Sequence, residues 1–141
     1  MQVGVESARA VENKRIFVVD TDEICRAALQ FILHDENETH EIATVQQALE
    51  KSREWKPDAI LLGGDIVREL GASVIAQLRE EIPGVVIAVV VESSSDPLRA
   101  ICLGAGAHST LSKPLSIESV RRQVNRILGR RTPLSIRVEV A

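Results

Sequence analysis

Five ionisable side chains stand just beyond apolar runs of this 141-residue chain, where a strand would hand over to a loop: Asp20, Asp22, Asp65, Glu92 and Lys113. Carboxylates grouped in this way can hold a hard divalent cation, and a lysine beside them can neutralise an anion. Asp20, Asp22 and Asp65 make a thin set for such a cation, so any magnesium affinity should be weak and no cofactor is expected. Gly63 ends the run Ala59-Ile60-Leu61-Leu62 and brings no nucleophile. Asp65 lies two residues on, about 6–7 Å further along an extended backbone, and is the nearest carboxylate that could stand in.

The other reactive residue types form no constellation. His34, His40 and His108 fall on a helix end, a strand start and a loop, and read as surface histidines. Cys25 and Cys102 sit inside helical apolar patterns without a Cys-x-x-Cys spacing, and read as packed, reduced thiols. Gly63-Gly64 and Gly104-Ala105-Gly106 fit neither Gly-x-Gly-x-x-Gly nor a P-loop ending, and read as turn glycines.

The elements that must position these residues follow from hydrophobic periodicity. Residues 15–19 form a short β-branched run that reads as a buried strand, and Asp22-Glu23 opens a helix in which Ile24, Ala27, Ala28, Phe31 and Ile32 recur at three- and four-residue spacing. An alternating strand at 40–45, a short helix at 46–54 and a strand at 58–62 come next. A helix at 72–81 closes at Pro83-Gly84, and 85–91 is the most continuous apolar run, expected at or near the sheet centre. Asp96-Pro97 suits a helix start, 107–111 a strand, and 116–129 an amphipathic helix with Ile117, Val120, Val124, Ile127 and Leu128 on one stripe. Strand and helix alternate five times, which argues a doubly wound parallel sheet. Residues 1–13 read as a polar lead, 14–130 as one domain, and 131–141 as a tail whose alternation would suit either a further strand or a frayed end.

Bulk properties narrow the classes. The core must be aliphatic, because the chain has two Phe, one Trp and no Tyr, so aromatic platforms for bases or flavins are scarce. A net charge of -3 gives no general pull toward nucleic acid or anionic lipid. The arginines Arg121, Arg122, Arg126, Arg130 and Arg131 read as a solvated face. No apolar stretch reaches membrane-spanning length and the first residues are too polar for a signal peptide, so a cytoplasmic protein is expected.

Four stretches together resemble the receiver domain of two-component response regulators, over residues 14 to about 130. They are Ile16-Phe17-Val18-Val19-Asp20, Lys56-Pro57-Asp58-Ala59-Ile60-Leu61-Leu62, Ser95-Asp96-Pro97, and Gly104 to Pro114 ending in Leu111-Ser112-Lys113-Pro114. The resemblance implies a flavodoxin-like, CheY-like sheet of five parallel strands in the order 2-1-3-4-5 with five helices, a crevice at the carboxyl ends of the strands, and a cis Lys113-Pro114 bond. It also implies roles. In the family an acidic pair after the first strand and a phosphorylatable aspartate after the third hold magnesium, a lysine and the ion neutralise the phosphoryl group, a hydroxyl after the fourth strand binds it, and an aromatic in the fifth follows it inward.

Carried over position by position, Asp20 matches the first acid, Thr21 replaces the second, and Gly63 replaces the acceptor, a register supported by Gly71 eight residues on. Glu92 falls at the hydroxyl place when the loop is aligned on Ser95-Asp96-Pro97, or Val91 under a one-residue shift; Thr110 falls at the aromatic place and Lys113 at the lysine place. The pattern implies a degenerate receiver, or pseudo-receiver, that is not an enzyme, in which Lys113 pairs with Asp20 or Glu92. It would act as a phosphorylation-independent interaction module toward a histidine kinase or output protein, with residues 96–129 as the surface for partners or a homodimer. The alternative is a working switch phosphorylated at Asp65, with magnesium at Asp20 and Asp22. Membrane association and nucleic-acid binding are not expected.

Overall fold

The computed structural model describes residues 13–130. Five strands, β1 (Lys14–Val19), β2 (Asn37–Ile42), β3 (Ala59–Gly63), β4 (Val86–Val91) and β5 (Ser109–Ser112), alternate with six helices. The helices are α1 (Glu23–Leu33), α2 (Val45–Ser52), α3 (Gly64–Leu70), α4 (Ser73–Glu81), α5 (Pro97–Gly104) and α6 (Ile117–Ile127). The strands are parallel in the order β2-β1-β3-β4-β5, as the alternation and the resemblance require.

Side chains alternate across each strand and divide the core in two. Phe17, Val19, Ile60, Leu62, Ile87 and Val89 face one layer, where they meet α2 to α5 through residues such as Ala48, Val67, Ile75 and Cys102. Ile16, Val18, Leu61, Ala88, Val90 and Leu111 face the other, against Leu29 and Ile32 of α1 and Val120 and Val124 of α6. β3, buried at every position between β1 and β4, is the central strand, and β4 lies next to it. Helix starts are set by side-chain oxygens: Asp22 accepts from Ile24 and Cys25 N–H, Thr44 from Gln47, Asp96 from Leu98, and Ser116 from Ser119.

Several expectations are corrected. There are six helices rather than five among the described residues, because the chain enters α3 at Gly64 directly after β3, where turn glycines were expected. β2 begins three residues before the expected strand, at Asn37, since edge-strand pairing with β1 does not need apolar side chains. In α1 the buried face is Cys25, Leu29, Ile32 and Leu33, while Ile24 and Phe31 are 82% and 66% exposed. Two apolar stripes share the helical spacing there, and only packing selects between them. All but the last residue of the lead at 1–13, and the whole tail at 131–141, lie outside the described residues.

Candidate functional site

Because every strand runs the same way, all five carboxyl ends open on one edge of the sheet. The register sets the exits side by side: Val19 beside Leu62, Gly63 beside Val90, and Val91 beside Ser112. Asp20, Gly63, Glu92 and Lys113 are thereby brought to one crevice, as the resemblance implies. Thr21 stands exposed beside Asp20, and Thr110 sits half-buried in β5 opposite Val89. The Lys113-Pro114 peptide is cis.

The end of β3 has an unforeseen occupant. A β-carbon built on Gly63 would lie 2.5 Å from Cγ and Oδ1 of Asp20 and 2.7 Å from its Oδ2. The Asp20 carboxylate thus fills the space that a side chain at position 63 would need. Only 4% of Asp20 is exposed. Its Oδ1 accepts from the Asp22 N–H at 3.0 Å, and the Cys25 thiol lies near the same carboxylate. Burial together with this carboxylate pushes the Cys25 thiol up to about 12, so the sulfur stays protonated and able to donate. Gly64 is constrained independently, since a β-carbon there would collide with the Val90 carbonyl oxygen and press on Leu98. Both cysteines are buried and free, as expected.

Lys113 pairs with Glu92, not with Asp20: Nζ donates to Oε2 at 3.2 Å. Burial works against the lysine's charge, but the Glu92 carboxylate outweighs it and holds Lys113 above its ordinary value. Asp65 does not continue along an extended backbone. It rides the first turn of α3, where a residue advances only about 1.5 Å, and its carboxylate meets Arg68 Nη1 at 2.9 Å. Arg68 also reaches Asp96 with Nη2 at 2.7 Å, bridging the segments that follow β3 and β4. The backbone N–H groups of Leu98 and Glu92, with Arg68 beside them, hold the Asp96 carboxyl below its usual range. Asp22, meanwhile, spends its carboxylate on the first turn of α1. Among the described residues no three His, Cys, Asp or Glu side chains converge on a point that could hold a metal ion.

Sequence reasoning missed two partners in this crevice, Cys25 and Arg68. Asp96 is legible as a helix cap, but its second partner stands 28 residues away, beyond the reach of local patterns. Beside the crevice lies an open groove of about 510 Å³ lined by Ile24, Cys25, Ala28, Glu92, Lys113 and Leu115 among others.

His108, at the opposite end of β5, is exposed as expected, and its ring is also hydrogen-bonded. Its ring Nδ1 accepts from the Ile87 N–H at 3.1 Å while the His108 backbone N–H donates to the Ile87 carbonyl at 2.7 Å. Burial, with Arg79 nearby, holds the imidazole below its ordinary value.

Comparison with known proteins agrees with this geometry. The family model described as response regulator receiver domain matches residues 16–125. Response regulator MprA of Mycolicibacterium vanbaalenii is 32% identical over 120 residues, covering 84% of this chain and 52% of that protein. The alkaline phosphatase synthesis transcriptional regulatory protein PhoP of Bacillus subtilis is 31% identical over 121 residues, 84% of this chain and 50% of its own length. The chain therefore spans about half the length of the curated relatives it matches. Among solved structures, a response regulator from Thermotoga maritima superposes with a TM-score of 0.75 at 24% identity, over 83% of this chain and 98% of the other. With the strand order, the crevice and the matched span in agreement, the chain belongs to the receiver-domain family of two-component response regulators.

Proposed function

We propose that this receiver domain signals by contact and does not accept a phosphoryl group by the family's usual route. The observation that carries this reading is the end of β3, where position 63 has no carboxylate and the Asp20 side chain fills the space instead. Two further features support it. Glu92 stands where the family places a phosphate-binding hydroxyl, and its negative charge is already bonded to Lys113. A phosphoryl dianion brought there would meet like charge and a lysine already paired.

The donor set does not fit a divalent cation: Asp22 caps α1, Asp65 is bound to Arg68, and Asp20 is enclosed. No step is therefore routed through magnesium. The partner is a histidine kinase or an output protein of a two-component pathway in the cytoplasm. The docking face lies within residues 96–129, where Ile101, Leu103 and Ile117 are exposed apolar side chains that a partner, or a second copy, would cover.

Incubation with acetyl phosphate and magnesium, followed by intact mass measurement, tests the reading. The mass should not change. A gain of one phosphoryl group that disappears in Asp65→Ala would establish the alternative switch at Asp65 and overturn contact signalling.

A further inference from the structure

We propose that Arg68 is a positioning residue for the docking face, a clamp that ties the start of α5 to α3 and so sets how α5 is presented. The place of that face, within residues 96–129, rests on the reading above, but the clamp itself is tested without a partner.

The loop between β4 and α5 needs such a device. Glu92-Ser93-Ser94-Ser95-Asp96 carries no apolar side chain, and each of its residues is exposed or half-buried, so burial does not hold it. Its setting comes from polar contacts, and Asp96 is their centre. One carboxylate oxygen, Oδ1, accepts from the Leu98 N–H at 2.9 Å and caps α5, while Oδ2 accepts from the Glu92 N–H at 3.0 Å and closes the loop on itself. Those two bonds join the loop to its own helix. Two side chains reach in from other elements. Lys113 meets Glu92, whose side chain is 57% exposed, whereas Arg68 meets Asp96, whose side chain is 10% exposed. The second contact is the firmer, because water screens it less.

The guanidinium is also held in orientation. Nη1 donates to Asp65, three residues back on the same helix, and the rigid fork then aims Nη2 at Asp96, 2.7 Å away. Close by, Leu98 is buried in the first turn of α5 and packs toward Gly64, where a β-carbon would lie 3.2 Å from Leu98 Cδ2 and 3.5 Å from Arg68 Nη1. The starts of α3 and α5 therefore meet twice, once through an apolar contact and once through the ion pair. Ile101, one turn further along α5, is 54% exposed and moves with the helix whose origin the clamp fixes.

Amide hydrogen exchange and methyl NMR on the full 141-residue chain test the clamp in wild type, Arg68→Met, Arg68→Lys and Asp65→Asn. In Arg68→Met, exchange at the Glu92 and Leu98 amides should rise about fivefold, while amides of β1 and β2 keep their rates. The Ile101 methyl signals should shift, and the Asp96 carboxyl should titrate higher once the cation beside it is gone. Arg68→Lys, which keeps the charge but not the fork, should recover part of each change. Asp65→Asn should give a weaker form of the same pattern, and it carries the test if Arg68→Met fails to fold. Unchanged exchange at Glu92 and Leu98 would overturn the proposal. So would a rise spread evenly over the sheet, because Arg68 would then act on global stability alone. Phosphoryl uptake by the wild-type chain would instead sink the contact-signalling reading, leaving the exchange rates to decide the clamp on their own.

Discussion

The exits of β3 and β5 lie two strands apart on the same edge of the sheet, and they are held in different ways. At the end of β3, Gly63 and Gly64 are buried: the Asp20 carboxylate occupies the space beside the first, and the Val90 backbone carbonyl excludes a side chain at the second. At the end of β5, Lys113 reaches into a partly open groove and meets a Glu92 whose side chain is 57% exposed. One exit is fixed by steric exclusion in a dry interior, the other by an ion pair that water can screen. The β3 exit is thus held by packing, while the lysine at the β5 exit keeps a charge partner that costs little to break.

Experiments can break or sharpen this contrast. The largest effect is expected from Leu62→Ala, at the last side chain before the glycines, where a fully buried leucine should cost about 2–5 kcal/mol in denaturant unfolding. A loss below 1 kcal/mol, by the same rule, would show that the β3 exit is loosely packed. Gly64→Ala comes next, at about 1–3 kcal/mol, because the added methyl must push either α3 or β4 aside. An unchanged midpoint there would remove the steric half of the comparison.

Lys113→Met should cost about 0–1 kcal/mol, since the pair with Glu92 is partly exposed and screened by salt. Wild type should lose the same increment as salt is raised, whereas Lys113→Met should not. A cost as large as that of Leu62→Ala would make the ion pair a second anchor and erase the distinction.

The smallest effect concerns His108, outside both exits. Its folded value is depressed below the ordinary 6.5, so as pH falls through 6.5 the unfolded chain takes up a proton first. The contribution is present above that pH and fades on acidification toward the folded value. His108→Asn should be destabilised at neutral pH and lose less than wild type on going to mildly acidic pH. Parallel stability curves for the two proteins would show that the Ile87 contact does not depend on the neutral ring.

Much of the scaffold is legible in the chain itself. Val85 to Val91, Arg15 to Val19 and Ala59 to Leu62 are too short and too apolar to be anything but interior strands, and Lys113-Pro114 locates the last one. α3 is hidden because a Gly-Gly start argues for a turn, and only its collision-free fit against β4 reveals why a helix can begin there. The face of α1 is hidden for another reason: Ile24, Ala28 and Phe31 repeat with the same period as Cys25, Leu29 and Ile32. At the site, the identities at positions 20, 63, 92 and 113 are readable, but the direction in which each side chain turns is not. Whether Lys113 meets Asp20 or Glu92 depends on how the ends of several strands come together, which no local pattern in the chain displays.

The outer rim of β2 carries one more implication. A parallel sheet must leave its first and last strands with unpaired backbone groups, which can template further strands from other chains. Here the outer strand is Asn37-Glu38-Thr39-His40-Glu41-Ile42, and Glu38 is tied down by both Arg15 and His40. At the other rim, β5 is only four residues long. A polar, charged border on one side and a stub on the other discourage the sheet from growing by the addition of further strands.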